Sequence, residues 1–158
     1  MADLQAQLRA EVLGAHRDLA ELLDGISPAE WERPTPNEGW RVKDTLAHLC
    51  TIEQRLRGQI ECILQGTPFP TEDIDSFNAR MVAERRDRTV AQLRGELDRE
   101  QAATLALLDG LVEADFAKFA DHPRRGRIDP ERVFRNIPDH IRRHTEDIQA
   151  GRASAISH

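Results

Sequence analysis

The sequence predicts an all-α protein built as a four-helix bundle. Apolar residues recur every three or four positions over four long stretches of the 158-residue chain, which is the period of amphipathic helices around a shared core. Glycine and proline separate these stretches, and no segment alternates apolar and polar residues as a half-buried strand does. A chain of this length is expected to form one domain over residues 1–158.

Two helices are predicted in the first half of the chain. The first covers about residues 3–24, and its apolar stripe consists of Leu4, Leu8, Val12, Ala15, Leu19, Leu22 and Ile26. A short helical turn is expected at residues 27–30, which have the spacing of a capping box. After a break over residues 34–39, the second helix is predicted for about residues 42–65, where Gly66 and two prolines end it.

The remaining helices are predicted in the second half of the chain. A third helical region at about residues 77–110 is expected in two pieces, because Thr89–Gln92 has capping-box spacing and indicates a new start near Thr89. The connection before it, residues 66–76, is long enough for a crossover. The last helix opens at Asp129-Pro130-Glu131 and is predicted to end near Gly151.

Composition narrows the possible functions. The net charge of −6 argues against nucleic acid as a partner, because phosphate binding needs a surplus of positive surface. No stretch is apolar enough for a membrane span or a signal peptide, so a cytoplasmic protein is expected. The arginine cluster at Arg124-Arg125-Gly126-Arg127 is either an anion site or a solvated loop.

The two cysteines are predicted to be reduced thiols with no part in a metal site. Cys50 and Cys62 are twelve residues apart in one predicted helix, roughly 18 Å, and cannot form a disulfide with each other. Cys50 lies on nearly the opposite side of that helix from His48. Cys62 lies roughly 21 Å beyond His48 along the axis, so neither thiol shares an ion with it.

The strongest chemical signal is a histidine pair in the last predicted helix. His140 and His144 are four residues apart, so they lie on one helix face. That face also carries Val133, Ile137 and Ile148, which directs both imidazoles into the bundle. Two adjacent imidazoles in a core need partners, and the alternatives are a shared metal ion or a set of hydrogen bonds.

A third ligand must come from another helix. His48 lies at the edge of the second helix's apolar stripe, roughly 9 Å inside the start of that helix. His144 is a similar distance inside the end of the last helix, so antiparallel packing would bring the imidazoles to one level. His16 is a weaker candidate for lining the same site, whereas His122 and His158 fall in a predicted loop and tail and are not expected to take part.

Two familiar metal classes do not fit these histidines. A zincin carries glutamate directly after the first histidine of the pair, where this chain has Ile141. Carboxylate-bridged di-iron bundles use Glu-x-x-His motifs, and none of His48, His140 and His144 has glutamate three positions before it.

Asp44 and Glu53 are the candidate catalytic carboxylates. Glu53 falls on the buried stripe of the second helix and therefore needs a partner, either an arginine or a ligand histidine that it orients. Asp44 lies in the first turn of the same helix. Trp31 and Trp40 flank the proline-rich loop before it, where they either close the end of the bundle or contact a substrate.

Two motifs in combination are recognisable: EGWRVKDTLAHL at residues 38–49 and HxxxHxxxI at residues 140–148. Together they resemble the DinB/YfiT-like superfamily of metal-dependent enzymes, which is related to the metal-binding domain of mycothiol-dependent maleylpyruvate isomerases. The resemblance covers nearly the whole chain. Arg41 stands where such proteins usually carry a small capping residue, so Asp44 is expected to lack its usual capping partner.

The resemblance implies helices in up-down-down-up order and one divalent ion, zinc or nickel, held by His48, His140 and His144. It further implies a homodimer, a small-molecule substrate and a low-molecular-weight thiol such as mycothiol or bacillithiol. The isomerases commonly carry glutamate at the position of His140, so the all-histidine set favours the thiol-transferase branch.

The expected activity is thiol-dependent S-transfer to a small electrophile, or metal-assisted hydrolysis, because three imidazoles leave coordination positions open on such an ion. The alternative is a non-catalytic bundle that is stabilised by its metal and that dimerises or binds a small ligand.

Overall fold

The computed structural model describes residues 1–37 and 39–154, most of which are helical. The elements in chain order are α1 (Ala2–Asp24), a 3-10 turn (Glu30–Glu32), α2 (Val42–Gln65), α3 (Ile74–Glu84), α4 (Val90–Gly110), α5 (Glu113–Phe116), β1 (Ala120–His122), β2 (Gly126–Ile128) and α6 (Pro130–Ala153). The four long helices α1, α2, α4 and α6 pack into a bundle, which confirms the predicted fold class. Glu38 and His158 lie outside the described residues.

The helices begin at side-chain caps close to the predicted positions, and α2 ends at the predicted glycine. Thr89 Oγ1 accepts from the Gln92 backbone N–H at 3.1 Å, and Gln92 Oε1 accepts from the Thr89 N–H at 2.9 Å. This capping box starts α4 anew after α3. Asp129 Oδ1 accepts from the Arg132 N–H at 2.8 Å and begins α6. Gly66 ends α2 with φ of 69°, a conformation that favours glycine.

The start of α2 differs from the expectation. A guanidinium has no acceptor atom, but Arg41 donates its backbone N–H to Asp44 Oδ2 at 3.0 Å and its Nε to the same oxygen at 2.9 Å. Asp44 therefore does not lack a partner. Burial raises the pKa of Asp44, but the bonds and charge of Arg41 outweigh burial and hold this pKa below its ordinary value.

Helix α4 runs antiparallel to α1. Gln5 Nε2, near the start of α1, donates to the carbonyl of Leu108 near the end of α4 at 3.1 Å. At the other end of the pair, Arg94 and Asp24 form an ion pair of 2.7 Å. The same two helices are therefore linked at both ends in opposite chain order.

Helix α4 runs parallel to α2. Cys50 Sγ donates to the carbonyl of Leu93 at 3.2 Å, and Arg57 Nη1 donates to the carbonyl of Glu100 at 3.0 Å. The contacts advance in the same order along both helices, so the segment that contains α3 is a crossover connection, as the length of residues 66–76 suggested.

Helix α6 packs between α1 and α2. It runs parallel to α1, since Arg135 pairs with Glu11 at 2.9 Å and Arg152 Nη2 donates to the carbonyl of Gly25 at 2.6 Å. It runs antiparallel to α2, because Gly151 near its end lies against Val42 at the start of α2. The order is up-down-down-up.

The core is formed by the predicted apolar stripes. The largest fully buried side chains are Phe134, Leu8, Leu19, Leu46, Leu49, Ile52, Leu56, Ile60, Leu93, Leu108, Ile128 and Ile137. Leu4 and Leu22 of the first stripe are only partly buried against this core. Within the described residues, no helix combines the length and the apolarity that a bilayer crossing requires.

A two-stranded antiparallel hairpin, β1 and β2, was not predicted. Ala120 pairs with Ile128 and His122 pairs with Gly126, whose φ is 67°. Each strand has three residues, which is too short for an alternating pattern to stand out in the sequence. The hairpin leads directly into α6.

A buried polar network joins α1, α2 and α4. Glu53 is fully buried, and its carboxylate contacts His16 Nε2 and the Thr104 hydroxyl. Thr104 Oγ1 in turn accepts from Arg57 Nη1 at 3.0 Å. Glu53 thus pairs with a histidine of α1 and reaches an arginine only through a hydroxyl.

The close approach of α6 to the loop before α2 predicts that Gly151→Ala destabilises the protein. A Cβ at this position would lie 2.9 Å from the Pro34 carbonyl oxygen and 2.9 Å from a methyl of Val42. We expect the free energy of unfolding to fall by about 1–3 kcal/mol, as in other overpacked sites. Urea denaturation measures the change.

Gly58→Ala is the matched control, because nothing lies within 4 Å of a Cβ at this α2 position. It should leave stability unchanged or raise it by up to about 1 kcal/mol. Equal stability of the two variants would contradict the role given to Gly151.

The buried network predicts that Glu53→Ala is strongly destabilising. His16 and Thr104 would remain buried without their shared acceptor, and removal of one partner from a buried pair costs about 3–5 kcal/mol. Chemical denaturation should show a loss of this size. Glu61→Ala, at an exposed position of the same helix, should stay within about 0.5 kcal/mol of wild type. The interpretation is wrong if both variants are equally stable.

Candidate metal centre

The three histidines predicted as ligands are neighbours where α2 packs against α6. The ring centroids of His48 and His144 are 4.6 Å apart in an edge-to-face arrangement. Those of His140 and His144 are 6.4 Å apart with their planes 21° from parallel. His48 is 4% exposed, and the other two are half-buried. The antiparallel packing of the helices thus brings residues ninety positions apart to one level.

All three imidazoles are held neutral. Burial is the largest cause, and it lowers the pKa of His48 to about 3 and that of His140 to about 4. The pKa of His144 is also lowered by burial, although Asp147 acts in the opposite direction. Neutral imidazoles have the free lone pair that metal binding requires.

The three Nδ1 atoms differ in their hydrogen bonding: one has a partner, and the other two have none among the described residues. His144 Nδ1 lies 3.0 Å from Asp147 Oδ2, which leaves the lone pair of Nε2 on this ring available to a metal ion. The Nδ1 atoms of His48 and His140 are buried and have no hydrogen-bond partner among the described residues. Buried polar atoms without a partner are rare in native structures and are commonest where a ligand or ion binds.

The chemistry of this donor set fits a divalent ion such as zinc, which imidazole nitrogens bind at about 2.0–2.1 Å. Imidazoles on one ion have ring centres roughly 5 to 6 Å apart at that bond length. The observed spacings of 4.6 and 6.4 Å fall on either side of this range. No group of three or more His, Cys, Asp or Glu side chains in the described segments is already placed to hold an ion. The rings would have to reorient for all three to coordinate one ion.

Asp147 and Asn37 support His144, and the sequence analysis did not identify them. Asp147 Oδ2 accepts from His144 and also from Asn37 Nδ2 at 3.0 Å. A carboxylate bonded to the outer nitrogen of a histidine fixes its tautomer and orientation. The i, i+3 spacing of His144 and Asp147 was a readable signal, whereas nothing in the sequence connects Asn37 to α6.

Trp40 lies against the site from the loop before α2. Its ring centroid is 4.8 Å from that of His48, with the planes tilted by 46°. Trp31 is buried at the same end of the bundle. The two tryptophans thus have different positions: Trp31 closes the core and Trp40 borders the histidines.

The remaining candidate residues lie elsewhere. Glu53 and His16 contact each other in the core, and His16 also lines a cleft of about 350 Å³ between α1 and α4. Asp44 borders a separate cleft of about 420 Å³ with Arg41 and Arg86.

Both thiols contact backbone carbonyls outside the histidine site. Cys50 is fully buried and bonded to the Leu93 carbonyl, and burial raises the pKa of its thiol to about 12. Cys62 is half-buried near the end of α2, with Sγ 3.5 Å from the Pro68 carbonyl oxygen.

Solved structures share this fold. A mycothiol-dependent maleylpyruvate isomerase superposes with a TM-score of 0.79 at 13% identity, covering 92% of this chain and 61% of that one. The chain therefore spans about three fifths of that enzyme. YfiT from Bacillus subtilis, described as a probable metal-dependent hydrolase with an unusual four-helix bundle topology, superposes at 0.76 with 15% identity, covering 92% and 83%. A protein of undescribed function from Clostridium difficile 630 superposes at 0.71 with 11% identity, covering 92% and 93%.

Identities this low establish the fold alone. No curated protein matches the sequence. The family model of the DinB superfamily, however, matches residues 12–148, which contain all four bundle helices in whole or in large part. The chain belongs to the DinB superfamily.

Proposed function

We propose that this chain binds one divalent metal ion, zinc or nickel, through His48, His140 and His144. The observation that supports the proposal most directly is the convergence of three neutral imidazoles from two helices, two of them with a buried and unpaired Nδ1. The contact between Asp147 and His144 also supports it, because metal-binding histidines usually bond a carboxylate or carbonyl through their other ring nitrogen.

The proposed activity is thiol-dependent S-transfer: the sulfur of a thiol forms a bond to a small electrophile, the electrophile loses its leaving group, and the thiol proton is released to solvent. A divalent ion held by three imidazoles supplies open coordination positions, at which the pKa of a bound thiol or water falls toward neutrality. The chain's own thiols do not serve, because Cys50 is buried at the α4 contact and Cys62 lies far along α2. The thiol is therefore external, a low-molecular-weight thiol such as mycothiol or bacillithiol.

Around this site, the residues of the chain position and shield the reactants. Asp147 fixes the orientation of His144, and Asn37 in turn holds Asp147. Trp40 covers one side of His48 and offers an apolar surface to a bound molecule. No carboxylate comparable to a general base touches the three histidines besides Asp147 among the described residues. Asp44 and Glu53, the sequence candidates, are bonded to Arg41 and to His16 instead.

Metal-dependent hydrolysis is the second candidate activity. The specific support is the likeness to YfiT, which is described as a probable metal-dependent hydrolase and matches most of its length. The same open coordination positions would activate water in place of a thiol.

We further propose that the chain forms a single domain and works as a homodimer in the cytoplasm. Its substrate would be a small molecule. The net charge of −6 argues against nucleic acid as its ligand. Size-exclusion chromatography with light scattering tests the dimer independently of the metal.

The metal assignment predicts about one zinc or nickel ion per chain in protein purified without a histidine tag. His140→Ala should lower this content below about 0.1 per chain, since two histidines alone seldom retain a divalent ion. Elemental analysis by mass spectrometry measures both proteins. A wild-type chain without metal, after incubation with zinc and desalting, would contradict the proposal.

Asp147→Ala separates support of the ligand from ligation itself. It should weaken zinc affinity about 10–100-fold without abolishing it, as for other supporting carboxylates. Asp139→Ala is the matched control, because Asp139 is exposed on the same helix. Competition with a chromogenic chelator gives the affinities, and equal effects of the two substitutions would argue against the role of Asp147.

The activity itself is tested by turnover before and after removal of the metal. Metal-dependent consumption of chlorodinitrobenzene that requires bacillithiol or mycothiol supports the transferase, whereas metal-dependent ester hydrolysis without thiol supports the hydrolase. If chelation lowers the thermal stability but neither reaction occurs, the protein is a metal-stabilised binding module.

A further inference from the structure

Two arginines beside the histidines carry buried nitrogen atoms that nothing in the described structure satisfies. These atoms are Nε of Arg55 and Nη1 of Arg125. Arg55 follows His48 by seven residues on α2, so both side chains leave almost the same side of that helix. Gln59, one turn further along this side, has a buried and unpaired Oε1. One face of α2 therefore carries three successive polar side chains with unpaired buried atoms.

Arg125 differs from the other arginines of the hairpin turn. Arg124 forms an ion pair with Asp73 at 3.6 Å and is largely exposed. The guanidinium of Arg127 lies 3.5 Å from the centre of the Phe119 ring. Arg125 has no such partner, although one of its nitrogens is buried. The sequence left this cluster open between an anion site and a solvated loop, and the structure separates its members.

The charge of Arg125 acts on both Arg55 and His140. Burial lowers the pKa of Arg55, and the charge of Arg125 lowers it further. The pKa of His140 is lowered chiefly by burial. Nearby positive groups lower it further, in the order Arg55, Arg143, His144 and Arg125. Both positive charges therefore act on His140, and no carboxylate is among the groups that shift the pKa of either guanidinium.

Two other arginines that point into the bundle are paired with carboxylates. Arg85 is 7% exposed and donates from Nε and Nη2 to Glu96 at 3.0 and 2.7 Å. Arg57 is bonded to Glu100 and Thr104. A guanidinium remains charged in proteins, and a buried nitrogen of that group without a hydrogen-bond acceptor is costly. Arg55 and Arg125 are half-buried, and each has one such nitrogen. An anion from outside the chain would supply the acceptors that Arg55 and Arg125 lack among the described residues.

We propose that Arg55 and Arg125 form a subsite for the oxyanion group, carboxylate or phosphate, of a small-molecule ligand. Guanidinium groups match both oxyanions in charge and in the geometry of paired hydrogen bonds. The subsite lies beside His140, so the anionic end of a substrate bound here would place its reactive end near the three histidines; this last step rests on the proposed function. Gln59 Oε1 would accept from a hydroxyl or amide of the same ligand.

Direct titration tests the subsite on the full chain, stripped of metal and then freed of the chelator by gel filtration. The probes are succinate, phosphate and the neutral succinamide. Isothermal titration calorimetry measures the binding of each probe in a buffer without other oxyanions. Succinate or phosphate should bind and succinamide should not; the probe that binds identifies the oxyanion. Arg55→Met and Arg125→Met should each weaken binding about tenfold or more, and Arg124→Met should not.

Thermal stability distinguishes a ligand subsite from a structural role. Arg55→Met removes an uncompensated charge and keeps an apolar stem, so Tm without anion should rise. Arg85→Met removes one partner of a satisfied pair, so Tm should fall. Absence of binding by both oxyanions, binding that survives both substitutions, or a lowered Tm for Arg55→Met would overturn the subsite.

Zinc loading keeps the two proposals separable. Arg55→Met should load zinc as wild type does, because Arg55 is not among the proposed ligands. In the wild-type chain, absence of oxyanion binding together with intact zinc loading would refute the subsite alone. Oxyanion binding by a wild-type chain that takes up no zinc would refute the metal centre alone.

Discussion

Gly151 has no side chain, and the backbone of α6 can therefore lie directly against the loop and first turn of α2. This contact sets how α2 and α6 align, and the alignment places His48 at the level of His140 and His144. The same loop supplies Asn37 and Trp40, which touch Asp147 and His48. A single close approach of backbone thus positions both the candidate ligands and the residues that support them.

The buried polar groups of this bundle lie in two regions that differ in how fully they are hydrogen-bonded. Between α1, α2 and α4, Glu53 and its neighbours satisfy one another, which is what stability requires of a buried polar network. Between α2, α6 and the hairpin, imidazole, guanidinium and amide atoms are left unpaired. Proteins tolerate such local cost where they bind something, and the contrast between the two regions within one small core is what supports the second as the proposed binding region.

The sequence predicted most of the fold because its signals are local. The apolar stripes, the capping box at Thr89 and the Asp129 cap are all read within one or two helical turns. The facing of His140 and His144 followed from the same period. The partners of Glu53, Asp44 and His144, in contrast, depend on which helices are neighbours in space. The hairpin and the inward turn of Arg125 depend on a loop conformation set by a glycine at positive φ. No periodic pattern encodes either kind of information.

The place of α6 also affects how the protein can be made. It lies between α1 and α2 in space but follows every other helix in the chain, so the apolar faces of both earlier helices lack their main cover until α6 leaves the ribosome. Two of the three candidate ligands arrive with it. A nascent chain that stalls before Pro130 would therefore expose the apolar faces of α1 and α2 and would contain only one of the three candidate ligands, His48. The candidate site would be completed only when α6 completes the bundle.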